Sequence, residues 1–229
     1  MNASFRNPSN LVLGIDEAGR GPALGPLVLA AVALDPVAAG RLTRAGVTDS
    51  KKFGAGPKAH AARKHMASLI CKIAHHVDLE VCDVATVDAY VARGQLNHLE
   101  RERARLLIAR APLARRIVAD GARLFGSLTE EFPMLEAHDG GEAVHVAVAS
   151  ASILAKIRRD ELFGCISDRY APEFGTIAGA GYVNGGTHAF TNAFKRRRGR
   201  FPPEARQSWP WPGRASFLRV ASSDRLTHE

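Results

Sequence analysis

Acidic side chains follow two short apolar segments of the 229-residue chain. Asp16 and Glu17 come directly after the apolar residues 11–15, and Asp120 follows residues 117–119 and precedes a glycine. Because strand ends from separate chain segments can meet at one cleft, these carboxylates can converge. Carboxylate oxygens suit Mg²⁺ or Mn²⁺, and two such ions about 3.5–4 Å apart can stabilise both oxygens of a phosphodiester displacement. Each acid alone is also typical of a turn, so both interpretations stay open here.

The charge and the apolar pattern of the chain exclude several classes of protein. Lys and Arg number 31 against 23 Asp and Glu, a net charge of +8 that favours a polyanionic partner such as nucleic acid. The longest apolar run, residues 27–34, is far shorter than the roughly 20 residues of a membrane-spanning helix, so we expect no membrane association. Three cysteines without a C-x-x-C pair argue against a disulfide framework or a thiolate zinc site. With no recognisable secretory signal, we expect a cytoplasmic protein.

The elements that must position the acids are predicted from periodicity. Residues 27–34 and 77–81 have the patterns of a buried and a half-buried strand, and residues 84–90 and 96–111 those of helices. A strand is predicted at residues 144–148, followed by a helix that opens at Ser150 or Ser152 and runs through Phe163. Strands followed by alternating strands and helices indicate an α/β or α+β fold, with a mixed sheet covered by helices.

Several motifs together carry a family resemblance. They lie in the family's order at residues 14–22 (GIDEAGRGP), 49–52 (DSKK), 120–121 (DG), 150–156 (SASILAK), 159–160 (RD) and 181–182 (GY). From about residue 11 to residue 209, the sequence therefore resembles ribonuclease HII, the type 2 ribonuclease H family.

The resemblance implies a fold, an activity and a partner. It implies a ribonuclease H-like catalytic domain over residues 1–163 and a smaller C-terminal helical module with a tail over residues 164–229. It also implies an endonuclease that requires Mn²⁺ or Mg²⁺ and cuts the RNA strand of RNA–DNA hybrids, including single ribonucleotides within duplex DNA, leaving 3′-hydroxyl and 5′-phosphate ends. We expect a monomer. The alternatives are a non-catalytic nucleic-acid-binding module on the same fold, a metal-dependent DNA endonuclease and a small-molecule phosphohydrolase.

By resemblance, Asp16, Glu17 and Asp120 are three of four metal-binding carboxylates. The family has an aspartate eleven residues before the isoleucine of its A-S-I element, and this position is Glu142 here. Asp139 is the rival for the fourth carboxylate, three residues earlier.

The substrate-binding residues are predicted in three places. Gly19, Arg20 and Gly21 resemble the family's substrate-reading loop, in which close backbone approach lets peptide groups bond a 2′-hydroxyl. Lys51 is expected to contact a phosphate. Tyr182 matches the tyrosine that packs on the sugar beside the scissile junction.

Overall fold

A five-stranded mixed sheet forms the centre of the molecule. The computed structural model describes residues 10–48, 53–54 and 56–209. The strands are β1 (Val12–Ala18), β2 (Leu27–Leu34), β3 (His76–Cys82), β4 (Arg116–Asp120) and β5 (Leu135–His138). The helices are α1 (Pro36–Arg44), α2 (Pro57–Ile73), α3 (Val84–Val91), α4 (Leu96–Arg110), α5 (Ala122–Phe125), α6 (Gly141–Val144), α7 (Val146–Phe174) and α8 (Gly185–Arg198), with a 3₁₀ helix at Gly126–Glu130.

The sheet order is β3-β2-β1-β4-β5. β1 and β3 pair antiparallel with β2, whereas β4 runs parallel to both β1 and β5. The predicted mixed sheet flanked by helices is therefore confirmed.

Helices cover both faces of this sheet, and the strand sequences explain why. Every residue of β2 is buried, as its unbroken apolar sequence predicts for a strand covered on both sides. In β1 the side chains alternate, so Leu13 and Ile15 enter the core that α3 and α4 cover. Gly14 and Asp16 consequently lie on the opposite face, towards α1, α2 and α7.

Helix α7 packs against β1 at unusually close range. A Cβ on Gly14 would lie 2.1 Å from the carbonyl carbon of Ala147, so only glycine allows this approach. Small residues continue along the helix, where every residue from 147 to 155 is buried. The close contact fixes the start of α7 directly beside the end of β1.

The start of α7 corrects one prediction. The strand predicted at residues 144–148 is wrong, because α6 ends at Val144 and α7 begins at Val146. The alternating valines imitate a strand, yet His145 caps the helix by accepting from the amide of Ala147 at 3.0 Å. Ser150, predicted as a helix start, lies inside the helix and donates to the carbonyl of Val146 at 2.8 Å.

Helix α7 also runs across the predicted domain boundary. Its 29 residues continue to Phe174, so the boundary after residue 163 falls within a helix and the two segments share one element. Beyond it, α8 packs on the second half of α7 through an aromatic cluster of Tyr170, Phe174, Phe190 and Phe194. The division into a catalytic domain and a C-terminal module stays a prediction.

Helix α1 and strand β5 were not predicted, and neither were the short helices α5 and α6 and the 3₁₀ helix. Helix α1 begins at Pro36, and the side chain of Asp35 caps it by accepting from the amide of Ala38 at 2.7 Å. β5 is only four residues long, too short for a periodic signal. No helix in the described part of the chain has the length and apolar character that a bilayer span requires.

Candidate active site

The ends of β1 and β4 bring the first acidic residues together. These strands are parallel neighbours in which Ile15 pairs with Ala119, so the next residues, Asp16 and Asp120, stand side by side. Asp16 is 5% exposed, and it accepts hydrogen bonds from the amide of Glu17 at 2.7 Å and from Ser152 of α7. The predicted convergence of acids from separate strands is therefore present.

The structure gives the two candidates for the fourth carboxylate different surroundings. The side chain of Asp120 accepts from the amide of Gly141 at 2.7 Å, which fixes α6 against the end of β4. Glu142 follows on α6, close enough for its charge to raise the pKa of Asp16. The exposed Asp139 instead accepts from the amide of Ala122 at 2.9 Å, at the start of α5. Glu142 thus joins the acidic cluster, while Asp139 has a local structural contact.

Burial and mutual repulsion disfavour the charged forms of the acidic side chains. Burial, with the charges of Asp120 and Glu142, raises the pKa of Asp16 from 3.8 to about 7, against the lowering effect of its hydrogen bonds. Burial, with the charges of Asp16 and other acids, holds the pKa of Glu17 well above its usual range. One carboxylate oxygen of Glu17, Oε2, is buried and has no hydrogen-bond partner among the described residues.

These properties suit a divalent cation. A cation would remove the mutual repulsion and satisfy the buried oxygen of Glu17. As the side chains stand, no group of three or more His, Cys, Asp or Glu residues in the described ranges is arranged to hold a metal ion. Like charges oppose close convergence of the carboxylates when no cation lies between them.

The loop after β1 lies beside the acids and presents its backbone. Gly19 has a φ of 95°, and a Cβ there would lie 2.6 Å from the carbonyl oxygen of Pro26, so glycine is required. The side chain of Arg20 turns away, towards Glu100 and to Asn97 Oδ1 at 2.6 Å. The guanidinium of Arg20 is therefore paired within the protein.

Tyr182 stands over the same loop. A Cβ on Gly21 would lie 3.6 Å from Cε1 of Tyr182, an ordinary van der Waals contact, so the tyrosine ring lies directly beside the main chain of this glycine. The tyrosine is 43% exposed and its ring lies 5.5 Å from the guanidinium of Arg159, which is fully buried. The structure thus brings the predicted loop and the predicted tyrosine together.

Arg206 also contacts this loop, and it was not predicted from the sequence. It is fully buried, and its guanidinium donates to the carbonyls of Gly19 at 2.6 Å, Arg20 at 3.1 Å and Gly25 at 3.0 Å. Burial lowers the pKa of Arg206 to about 10. A single arginine in a basic C-terminal segment is expected at the surface, and no local pattern around Arg206 indicated its burial.

The acids and the loop line one open cleft. Its volume is about 930 Å³, and its lining includes Asp16, Glu17, Gly19, Arg20, Gly21, His60, Arg63, Asp120, Ser152, Lys156, Asp160 and Tyr182. Within it, Lys156 donates to Asp160 at 2.7 Å. Lys51, predicted as a phosphate contact, lies outside the described residues.

The chain was compared with known proteins. The family model for ribonuclease HII matches residues 13–209. Ribonuclease HII of Thermococcus sibiricus is 32% identical over 206 residues, which cover 86% of this chain and 87% of that relative. The ribonuclease H2 structure from Pyrococcus horikoshii OT3 aligns with a TM-score of 0.76 and 25% identity, covering 92% of this chain and 98% of the other.

A more distant structure shares the fold alone. Bst-RNase HIII in complex with Mn²⁺ aligns with a TM-score of 0.70 and 23% identity, covering 94% of this chain and 71% of the other. The predicted resemblance and the ribonuclease H-like fold are therefore confirmed. The chain belongs to the ribonuclease HII family of endoribonucleases.

Proposed function

We propose that the protein is a metal-dependent endonuclease that cuts the RNA strand of RNA–DNA hybrids and also cuts at single ribonucleotides within duplex DNA. One observation carries the proposal: a cluster of buried carboxylates borders a glycine loop whose backbone faces the same cleft. The acids account for phosphodiester chemistry, and the loop accounts for the choice of ribose. A cytoplasmic location and a monomeric state accompany this proposal as predictions.

The acidic residues are the proposed metal ligands. Asp16, Glu17 and Asp120 would hold Mn²⁺ or Mg²⁺, with Glu142 as the fourth carboxylate. When bound, such ions activate a water molecule and stabilise the charge on the departing 3′-oxygen, which gives 3′-hydroxyl and 5′-phosphate products. The longer side chain of Glu142 replaces the family's aspartate, and its place on α6, behind the amide that Asp120 holds, lets it reach the cluster.

The residues of the chain orient both the acids and the substrate. Ser152 of α7 forms a hydrogen bond with Asp16 and so orients one proposed metal ligand. The peptide groups of residues 19–21 can bond a 2′-hydroxyl, which a deoxyribose lacks. Tyr182, exposed above Gly21, offers a ring on which the sugar can pack.

The basic residues of α8 provide affinity for any duplex. Residues 195–198 are all Lys or Arg at the end of this helix. Glu173 pairs with Arg197 at 2.8 Å and with Arg198 at 2.5 Å, so part of this charge is neutralised within the protein. The net charge of +8 supports phosphate contacts that are independent of sequence and weaken with salt.

A matched pair of duplexes tests the proposal. One carries a single ribonucleotide, the other has deoxyribose at that position, and each is incubated with Mn²⁺, Mg²⁺ or EDTA. We expect cleavage only of the first and only with a divalent ion. Asp16→Asn and Asp120→Asn should each lower the rate by at least about a hundredfold and retain duplex binding.

The alternatives give different results in the same experiment. A non-catalytic binding module would bind the duplex and cleave neither substrate with any ion. A DNA endonuclease would cleave both. Cleavage by Asp16→Asn at the rate of the unsubstituted protein would contradict the metal-ligand assignment.

A further inference from the structure

Residues 204–208, here called the strap, lie across the loop of residues 19–25. The amide of Gly25 donates to the carbonyl of Glu204 at 2.9 Å, and the amide of Arg206 donates to the carbonyl of Ala23 at 2.8 Å. Leu24 and Ala205 therefore form an antiparallel bridge. The strap adds a short strand-like contact to the segment that follows the proposed ribose-reading glycines.

Arg206 extends this contact to the glycines themselves. From the middle of the strap, its buried guanidinium donates to the carbonyls of Gly19, Arg20 and Gly25. A planar guanidinium offers donors in a fixed arrangement, so three acceptors bound to it keep a fixed spacing. The positions of these peptide groups therefore depend on where the strap places Arg206.

Both ends of the strap are anchored by carboxylates. At its C-terminal end, Asp88 of α3 accepts from the amide of Gln207 at 2.7 Å, from the amide of Ser208 at 3.0 Å and from the hydroxyl of Ser208. At its N-terminal end, the Glu204 side chain accepts from Arg169 at 2.7 Å and from the hydroxyl of Tyr170 at 2.8 Å. The strap thus joins α3 to the second half of α7.

We propose that Asp88 and Glu204 are positioning residues that act through the strap on the loop of residues 19–25 and so set its selectivity for ribose. The inference rests on the proposed function, because it assumes that this loop reads the 2′-hydroxyl. Neither carboxylate is among the residues that line the cleft. Their effect passes through the main chain on either side of Arg206.

Asp88→Ala and Asp83→Ala form a matched pair. Both aspartates lie at α3, but Asp83 caps the helix by accepting from the amide of Thr86 at 2.7 Å and makes no hydrogen bond to the strap among the described residues. Both changes should lower stability through α3. Only the change at Asp88 releases the strap.

Amide hydrogen exchange measures how well the amides of the loop of residues 19–25 are protected, without any measurement of activity. In Asp88→Ala, the amide of Gly25 should exchange at least about fivefold faster than in Asp83→Ala, the effect of losing one ordinary hydrogen bond. The amides of Ala23 and Leu24 donate to Gly181 instead of the strap, so their exchange should rise less. Equal exchange of Gly25 in both variants would overturn the inference.

Tyr170→Phe perturbs the other end more gently. It removes the hydroxyl bonded to Glu204 and keeps the ring, which packs between Phe190 and Phe194. Faster exchange of Gly25, in the same direction as in Asp88→Ala, is expected. Unchanged exchange would overturn a positioning role for the hydrogen bond between Tyr170 and Glu204.

Duplex-binding measurements test whether the loop of residues 19–25 sets the selectivity for ribose. The affinity for a duplex with one ribonucleotide is divided by the affinity for the all-DNA duplex, both in EDTA at one salt concentration. We expect this ratio to fall about fivefold in Asp88→Ala and to stay unchanged in Asp83→Ala. Faster exchange of Gly25 with an unchanged ratio would overturn the link to selectivity. A wild-type protein that neither cleaves nor prefers the ribonucleotide duplex would instead refute the proposed function.

Discussion

Replacing the buried carboxyl of Asp16 by the amide of asparagine should stabilise the metal-free protein at neutral pH. The pKa of this carboxyl is about 7 in the folded protein and 3.8 in its ordinary state, mainly because the group is buried among other acids. The folded state therefore holds the proton over a range of pH in which the unfolded chain has lost it. Asparagine has nearly the same shape and no charge, so it avoids the free-energy cost of burying a carboxylate.

The sign and size of the effect follow from proton linkage. Between pH 3.8 and about 7 the folded state binds more protons than the unfolded state, so stability falls as the pH rises. At about 1.4 kcal/mol per pH unit, this interval of about three units amounts to about 4 kcal/mol. The stability that this protonated carboxyl contributes is fully present below the pKa of the unfolded chain, 3.8, and is lost by about pH 7.

Urea unfolding in EDTA measures this difference. The free energy of unfolding is compared between Asp16→Asn and wild type from about pH 5 to about pH 8, where the advantage of the variant should grow by about 3 kcal/mol. Asp168→Asn, which changes an exposed aspartate of α7, is the matched control and should show no such trend.

The same unfolding measurement is repeated in the presence of a divalent ion. Mn²⁺ should raise the stability of the wild type and stabilise Asp16→Asn far less, because an ion stabilises only the state that binds it. A stability difference that is independent of pH would refute the reasoning, because the buried acid would then carry no linked proton.

Three further predictions concern other parts of the molecule. Glu142→Gln should lower cleavage by at least about a hundredfold. Asp139→Ala should cleave nearly as wild type and lose about 1 kcal/mol of stability, because it removes the acceptor for the amide of Ala122. The reverse result, in a cleavage assay and urea unfolding, would make Asp139 the fourth carboxylate. Gly14→Ala should destabilise by about 3 kcal/mol, because its Cβ would overlap the backbone at Ala147; an unchanged unfolding midpoint would contradict the close contact of β1 and α7. Duplex affinity should fall steeply between low and physiological salt, and an affinity independent of salt would argue against phosphate contacts.

The sequence predicted most of the sheet because its strands carry simple patterns. The unbroken apolar β2 and the alternating β3 were recognisable from residue type alone, since burial on two faces or one dictates those patterns. The start of α7 was not recognisable, because a helix buried on all sides has no polar face. Its valines then read as a strand, although His145 and the small residues facing β1 make a helix there.

The candidate site was predictable to the extent that it lies in contiguous motifs. Asp16, Glu17 and the glycine loop share one short segment, so the resemblance found them together. Arg206 could not be found in this way, because it lies about 180 residues from the carbonyls that it binds. A buried arginine bound to main-chain oxygens depends on the fold and leaves no local pattern.

The length of α7 has a mechanical consequence. Its 29 residues form one helix of about 43 Å, and about 33 Å of it separates Ser152, beside Asp16, from Phe174, which contacts α8. A continuous helix resists bending far better than a linker does. Helix α7 therefore holds the acidic cluster beside Ser152 at a fixed distance from the basic end of α8.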